Sequence, residues 1–233
     1  MQKSTHETGC LICGGELIYD GKTTMRECSV CHQMKPSNAV CENGHFICDQ
    51  CHENGVAGIE QMMLHSGERD PLTLLEQAMR TDGVHMHGPE HHSIVPMVLL
   101  TAFANNGGRL DLPAALSEAI GRGSQVPGGY CGFWGCCGAA IGAGIFASIV
   151  LGGSPLKGET WSLPQQLTAQ CLNSIAAPGG PRCCKRDSRL AVLTAVRFSR
   201  EHFYVDMPTH RVNCDYPDIN NECTESRCPF YRG

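Results

Sequence analysis

The chain has little with which to build a large aromatic core or a strongly charged surface. Aromatic residues make up 6% of it and charged residues 18%. Sparse charge alongside 27 glycines argues against a disordered polar tail and for close backbone packing. There is no basic surplus. Eighteen Lys and Arg stand against 23 Asp and Glu, a net charge of −5, and that balance argues against a nucleic-acid partner. Long apolar runs are missing too. The longest, Ala139 to Leu151, is too short and too glycine-rich to span a bilayer, so no membrane segment is expected. Met1 to Thr8 is polar and lacks the apolar stretch and small-residue cleavage site of a secretory leader. No alternating strand pattern of any length occurs across 53–206.

Cysteine, in contrast, is abundant, with 16 residues. A secreted disulfide framework and a reduced protein with metal-bound thiolates both fit such a count. Without a leader, the expectation is a reduced, cytoplasmic, metal-binding protein.

Composition divides the chain into three parts. Residues 1–55 hold seven cysteines joined by short polar connections that cannot bury a core, so metal must hold them together. Residues 56–206 read as helical. Asp70-Pro71 is a helix start, and Leu72, Leu75 and Met79 then share a face. Further helices are expected over 93–105, 112–120, 137–151, 162–176 and 188–203. Residues 207–233 form an irregular, cysteine-containing tail. The fold class expected is a mainly α catalytic domain preceded by a small cross-braced, RING-like two-zinc module.

The module's ligands come in four pairs: Cys10 and Cys13, Cys28 and Cys31, Cys41 and His45, Cys48 and Cys51. Two cysteines two residues apart converge on one tetrahedral ion, so eight ligands make two zinc sites. The third pair ends only two residues before the fourth begins, and ligands that close along a chain usually serve different ions. The cross-braced pairing therefore joins the first pair to the third and the second to the fourth; sequential pairing is the alternative. His32 and His52 read as solvent-exposed neighbours of ligands. Such a module suits a protein partner or plain stabilisation.

The helical part carries three chemically dense segments. His85-Met86-His87-Gly88-Pro89-Glu90-His91-His92 gathers four histidines and a glutamate before an apolar helix. Residues 128–150 place Cys131, Cys136 and Cys137 in a glycine-rich turn, with Phe133 and Trp134 as a shield, ahead of a buried helix. There Gly and Ala between 139 and 144 permit close helix packing. Residues 179–186 open a helix with Cys183 and Cys184 beside Arg182, Lys185 and Arg186. Positive neighbours and a helix N-terminus lower a thiol pKa, so thiolates are expected. Thiolates in a glycine-rich pocket suit an iron–sulfur cluster. His87, Glu90, His91 and His92 would bind substrate or move protons, and Lys185 and Arg186 would hold an anionic group. In the tail, His210, Cys214, Cys223 and Cys228 are a possible third metal site.

CENGHFICDQCH, MHGPEHH, GYCGFWGCCGAAIG and GGPRCCKR together resemble the hallmarks of an uncharacterised prokaryotic domain-of-unknown-function family, found alone or beside radical-SAM modules. A more distant resemblance is to iron–sulfur L-serine dehydratases and cysteine desulfidases. Their GPSSSHT-V-GPM, GCQAEVG and PCIERN motifs are similar to GPEHHSIVPM (88–97), CCGAAIG (136–142) and RCCKRDS (182–188), in the same order. That resemblance implies a 4Fe–4S cluster on Cys137, Cys183 and either Cys171 or Cys184, whose open iron acts as a Lewis acid. It implies a dehydratase- or desulfidase-like lyase acting on a small anionic substrate. EHHSI replaces the substrate loop and Ala140 replaces a glutamate, so the amino-acid pocket need not survive. The alternative is non-enzymatic: a zinc-based adaptor or a metal or sulfur carrier.

Overall fold

The computed structural model describes residues 9–52 and 56–232. The polar stretch Met1 to Thr8 and the expected boundary at 55 lie outside them. The protein is mainly helical with one two-stranded sheet.

The sheet lies in the N-terminal part. Strands β1 (Leu17–Glu27) and β2 (Met34–Cys41) pair antiparallel from Leu17↔Cys41 to Glu27↔Met34, with a register shift between Tyr19 and Thr24. Polar composition concealed this hairpin. Both of its faces are largely exposed, so no apolar alternation is required of it. A lone two-stranded hairpin is marginal in water and needs support at its ends. Here the Cys28–Cys31 knuckle forms the turn, closed by the Cys28 N–H donating to Gln33 O (2.9 Å). A one-turn helix, α1 (Asp49–His52), follows.

Helices α2 (Val56–His65), α3 (Pro71–Met79), α4 (Glu90–Asn105), α5 (Leu112–Gly123), α6 (Tyr130–Phe133), α7 (Gly138–Leu151), α8 (Gly158–Ala176) and α9 (Cys184–His202) make the rest. α3 starts as its sequence dictates. The Asp70 carboxylate accepts from the Leu72 N–H (2.7 Å) and Pro71 takes the first turn, a cap worth ~1 kcal/mol. α4 is apolar on all sides because it runs through the centre, packed by α2, α3, α5, α7 and α9. α7 approaches α4 and α8 closely through its glycines. A β-carbon on Gly142 would lie 2.9 Å from His92 O, and one on Gly144 2.1 Å from Thr168 Oγ1. The small residues of α7 therefore serve packing, as expected. Four helices begin earlier or end later than periodicity suggested. α4 and α9 each begin several residues early, because charged residues at their starts are buried rather than solvated. Among the described residues, no helix is long and apolar enough to cross a membrane.

Candidate metal centres and the cleft between them

All sixteen thiols are free. In the N-terminal part they gather into two sets that could hold metal ions. Cys10, Cys13, Cys41 and His45 form one, and Cys28, Cys31, Cys48 and Cys51 the other, each with its ligand atoms within 4.8 Å of one another. The first pair thus meets the third and the second meets the fourth. The hairpin explains why. The register sets Cys41 beside the start of β1, and the Ser29 N–H donating to Phe46 O (2.7 Å) brings the following segment to the turn. Main-chain donors already favour charge on some sulfurs. Asn43 N–H donates to Cys41 Sγ (3.3 Å), and Cys48 N–H to Cys28 Sγ (3.3 Å). The Asn43 side chain and the Gly15 amide hold the Cys13 thiol down at about 6. Burial raises the Cys28 thiol, but amides of Cys31, Cys48 and Val30 outweigh it and bring it to about 6.

The histidine-rich turn leads into α4. Glu90 is fully buried at its first position, and its Oε1 accepts from the His85 N–H (2.8 Å). A β-carbon on Gly88 would lie 2.0 Å from Glu90 Oε2, so only glycine lets the carboxylate fold back there. Burial raises the Glu90 carboxyl, but the hydrogen bond from the His85 ring, with His91 and His52 beside it, brings it down to about 2. His91 is completely buried; burial, with Lys185 nearby, pushes it down to about 3 and leaves it neutral. His91 Nδ1 bonds Gly88 O (3.2 Å) while its Nε2 has no partner. His92 donates from Nδ1 to Val126 O (2.8 Å), and burial lowers its pKa. His87 Nε2 meets Glu222 Oε2 and Asn220 Oδ1. His32 is exposed against Glu27, as expected. His52 is not: its side chain keeps 17% of its exposure, because α1 turns it inward against His85.

A cleft of about 990 Å³ separates the hairpin part from the helical part. His87, His92, Cys131, Arg182 and Cys184 line it from the helical side, and Tyr19 and His52 from the other. Cys131, Cys184 and Cys137 also line a small adjoining pocket with His91, His92 and Asp187. Cys137 caps α7, and burial followed by Asp187 raises its thiol to about 12 against the amides of Ala139 and Ala140.

The other expected cluster cysteines are elsewhere. Cys171 lies in the core and donates to Ala191 O (3.7 Å). Cys136 is outside both cavities, its N–H bound to Tyr130 O (3.3 Å). Cys183 faces the tail, accepting from Arg186 N–H (3.4 Å) and Asn220 Nδ2 (3.7 Å). The expectation of ready thiolates at Cys183 and Cys184 is overturned. Burial outweighs the helix terminus and the arginines, raising Cys183 to about 11 and Cys184 well above its usual value.

Lys185 and Arg186 do not reach the cleft. Lys185 Nζ donates to Met79 O (3.2 Å) under the Tyr216 ring, and Arg186 bonds Asp187, Thr224 and Pro181 O. Their charges are used inside the protein to tie α9 to its neighbours. Of the basic residues at the start of α9, Arg182 reaches the cleft, its guanidinium 5.0 Å over the Tyr19 ring. Phe133 and Trp134 are both exposed, so neither shields a buried pocket. In the tail, His210 pairs with Asp70 (2.6 Å) and does not join the cysteines. Among the described residues, Cys214, Cys223 and Cys228 do not gather into a set of three ligand atoms close enough to share an ion. Tyr216 N–H donates to Cys214 Sγ and Glu225 N–H to Cys223 Sγ (both 3.4 Å).

Sequence reasoning missed His52, because its partners lie more than thirty residues away. Asp187 was missed too, because its burial depends on how α9 docks.

Fold and sites together define a mainly helical protein with clusters of cysteine and histidine that could hold metal ions beside one cleft. The chain belongs to DUF5714, a family of unknown function whose model matches residues 59–231. The match takes in the helical part and tail, while the two cysteine sets of the hairpin precede it. No curated protein and no solved structure matches the chain, and nothing in these comparisons supports the dehydratase resemblance.

Proposed function

We propose that this protein is a metal-dependent lyase or related sulfur-handling enzyme that takes a small anionic substrate in the cleft. One observation carries the reading: Cys131, Cys137 and Cys184, from three different elements, line one pocket that adjoins the cleft beside His92 and Arg182. Three thiols suit an iron–sulfur cluster with one iron left for substrate. Cys131 sits on the one-turn α6, whose flanking Gly129 (φ 82°) and Gly135 (φ 66°) give that segment room to close around a bulky group. Bound there, a 4Fe–4S cluster would supply Lewis acidity to a leaving hydroxyl or thiol. Arg182 would hold the substrate's carboxylate or phosphate. With Nδ1–H committed to Val126 O, His92 presents Nε2 as a lone pair to accept a proton. The two cysteine sets of the hairpin suit zinc, which prefers tetrahedral sulfur and nitrogen ligands, and they act as scaffold.

The test is anaerobic reconstitution of the full chain with iron and sulfide. We expect broad sulfur-to-iron absorption in the wild type. Cys137→Ser and Cys184→Ser should each lose the iron while both zincs stay. A wild type that takes up no iron, or full iron in both variants, sinks the reading.

One observation favours an adaptor instead. Ile12, Ile18, Met25, Val30 and Met34 are all exposed on the hairpin part, apolar side chains that a protein partner would cover. Colourless protein holding only zinc would move this reading ahead.

A further inference from the structure

We infer that His52, His85 and Glu90 form a further metal site, holding one divalent transition-metal ion with nitrogen and oxygen ligands at the seam between the hairpin part and the helical part. The three side chains come from separate elements: His52 ends α1, His85 lies in the loop after α3, and Glu90 opens α4. Each offers one ligand atom, and these lie within 4.8 Å of one another. His52 Nδ1 is 3.9 Å from Glu90 Oε2, and His85 Nδ1 is 3.4 Å from Glu90 Oε1. The two imidazole rings stand nearly perpendicular, at 84°, with centroids 5.2 Å apart.

Three facts separate this group from an ordinary buried polar cluster. His52 Nδ1, His85 Nδ1 and Glu90 Oε2 are all buried without a hydrogen-bond partner among the described residues, although they face one another. Buried polar atoms are nearly always paired, and an unpaired charged one is costly. The spacings are too long for good hydrogen bonds. They are close to those of ligands sharing an ion at bond lengths of roughly 2.0–2.2 Å.

Second, the donor set is right. Glu90 is fully buried, and a carboxylate oxygen with two imidazole nitrogens is a donor set that a divalent transition-metal ion takes. Third, the place is right. His52 directly follows Cys51 of the second cysteine set and also lines the cleft, so the site lies at the cleft's wall. Two histidines and one carboxylate leave positions open, the arrangement of catalytic zinc and of non-haem iron(II) sites. A metal here would also pin the hairpin part to the helical part. The site stands independently of the iron–sulfur reading.

The test uses the full chain, purified in air without iron, loaded with zinc, and dialysed against a weak chelator that leaves thiolate-bound zinc in place. The probe is Co²⁺. We expect the wild type to take up one further equivalent with weak ligand-field bands and no thiolate-to-cobalt charge transfer. His85→Ala and Glu90→Gln should bind that equivalent more weakly than the roughly 10–100-fold loss typical of outer-shell changes. Both should retain their cysteine-bound zinc. His85 is on a loop, so His85→Ala keeps the test decisive should Glu90→Gln fail to fold. The inference is overturned if the wild type takes up no further Co²⁺, if both variants bind it as tightly as the wild type, or if it shows thiolate charge transfer. Since no iron is present, none of these outcomes bears on the cluster.

Discussion

Arg189 and Glu76 form a two-pronged ion pair in the protein interior, Nε to Oε1 at 2.7 Å and Nη2 to Oε2 at 2.9 Å, joining α9 to α3. Arg189 is fully buried, and among the described residues its charge has no other carboxylate in reach of a hydrogen bond. Breaking such a pair from one side strands a charge. Glu76→Ala should therefore cost ~3–5 kcal/mol, whereas replacing both partners with apolar residues should cost less. Urea unfolding of the two variants checks this; equal losses would contradict it.

Gly138 touches His92 so closely that a β-carbon there would lie 2.1 Å from the ring. Gly138→Ala must push the ring aside and strain its bond to Val126 O. A destabilisation of about 1–3 kcal/mol is expected, together with weakened iron uptake in the adjoining pocket. Thermal unfolding and iron analysis give the two readings; an unchanged melting temperature would show that the ring gives way freely.

The two cysteine sets of the hairpin part predict separable metal loss. Cys48→Ala should release the ion of its own set and leave the ion of Cys10, Cys13, Cys41 and His45 bound. Elemental analysis should fall from two zincs to one. Retention of both would contradict the pairing of the second and fourth cysteine pairs.

Cys171 gives a pH prediction. Burial raises its thiol from 9.0 to about 12. The folded state thus favours the neutral form, and this contribution is complete below pH 9 and lost as pH rises towards 12. Cys171→Ala should lack that part of the alkaline decline. Because Cys171 faces the core, its iron uptake should match the wild type. Denaturant midpoints across that window decide the first point, and iron loss in the variant would restore Cys171 as a ligand.

In the tail, His210→Ala should leave total metal content unchanged, since His210 is held by Asp70. Metal analysis of the variant checks this, and a lowered content would return His210 to a ligand set.

Much of this protein is written locally. The four ligand pairs announce two ligand sets because knuckle spacing is a property of short backbone segments. Asp70-Pro71 announces a helix because capping acts within three residues. The small residues of α7 announce close packing for a similar reason. The hairpin escaped notice because a two-sided exposed sheet imposes no hydrophobic alternation. Which thiols and charges meet is decided only by docking. Cys183 and Cys184 are chain neighbours, yet one faces the tail and the other the cleft, because Cys183 caps α9 in extended backbone while Cys184 begins the helix. Lys185 and Arg186 looked available and are used internally, whereas Arg182, before the helix begins, reaches the cleft. His52, His85 and Glu90 converge only when the hairpin part packs against the start of α4. Local sequence sets each side chain's chemistry, but burial and long-range contact set its charge and its partners.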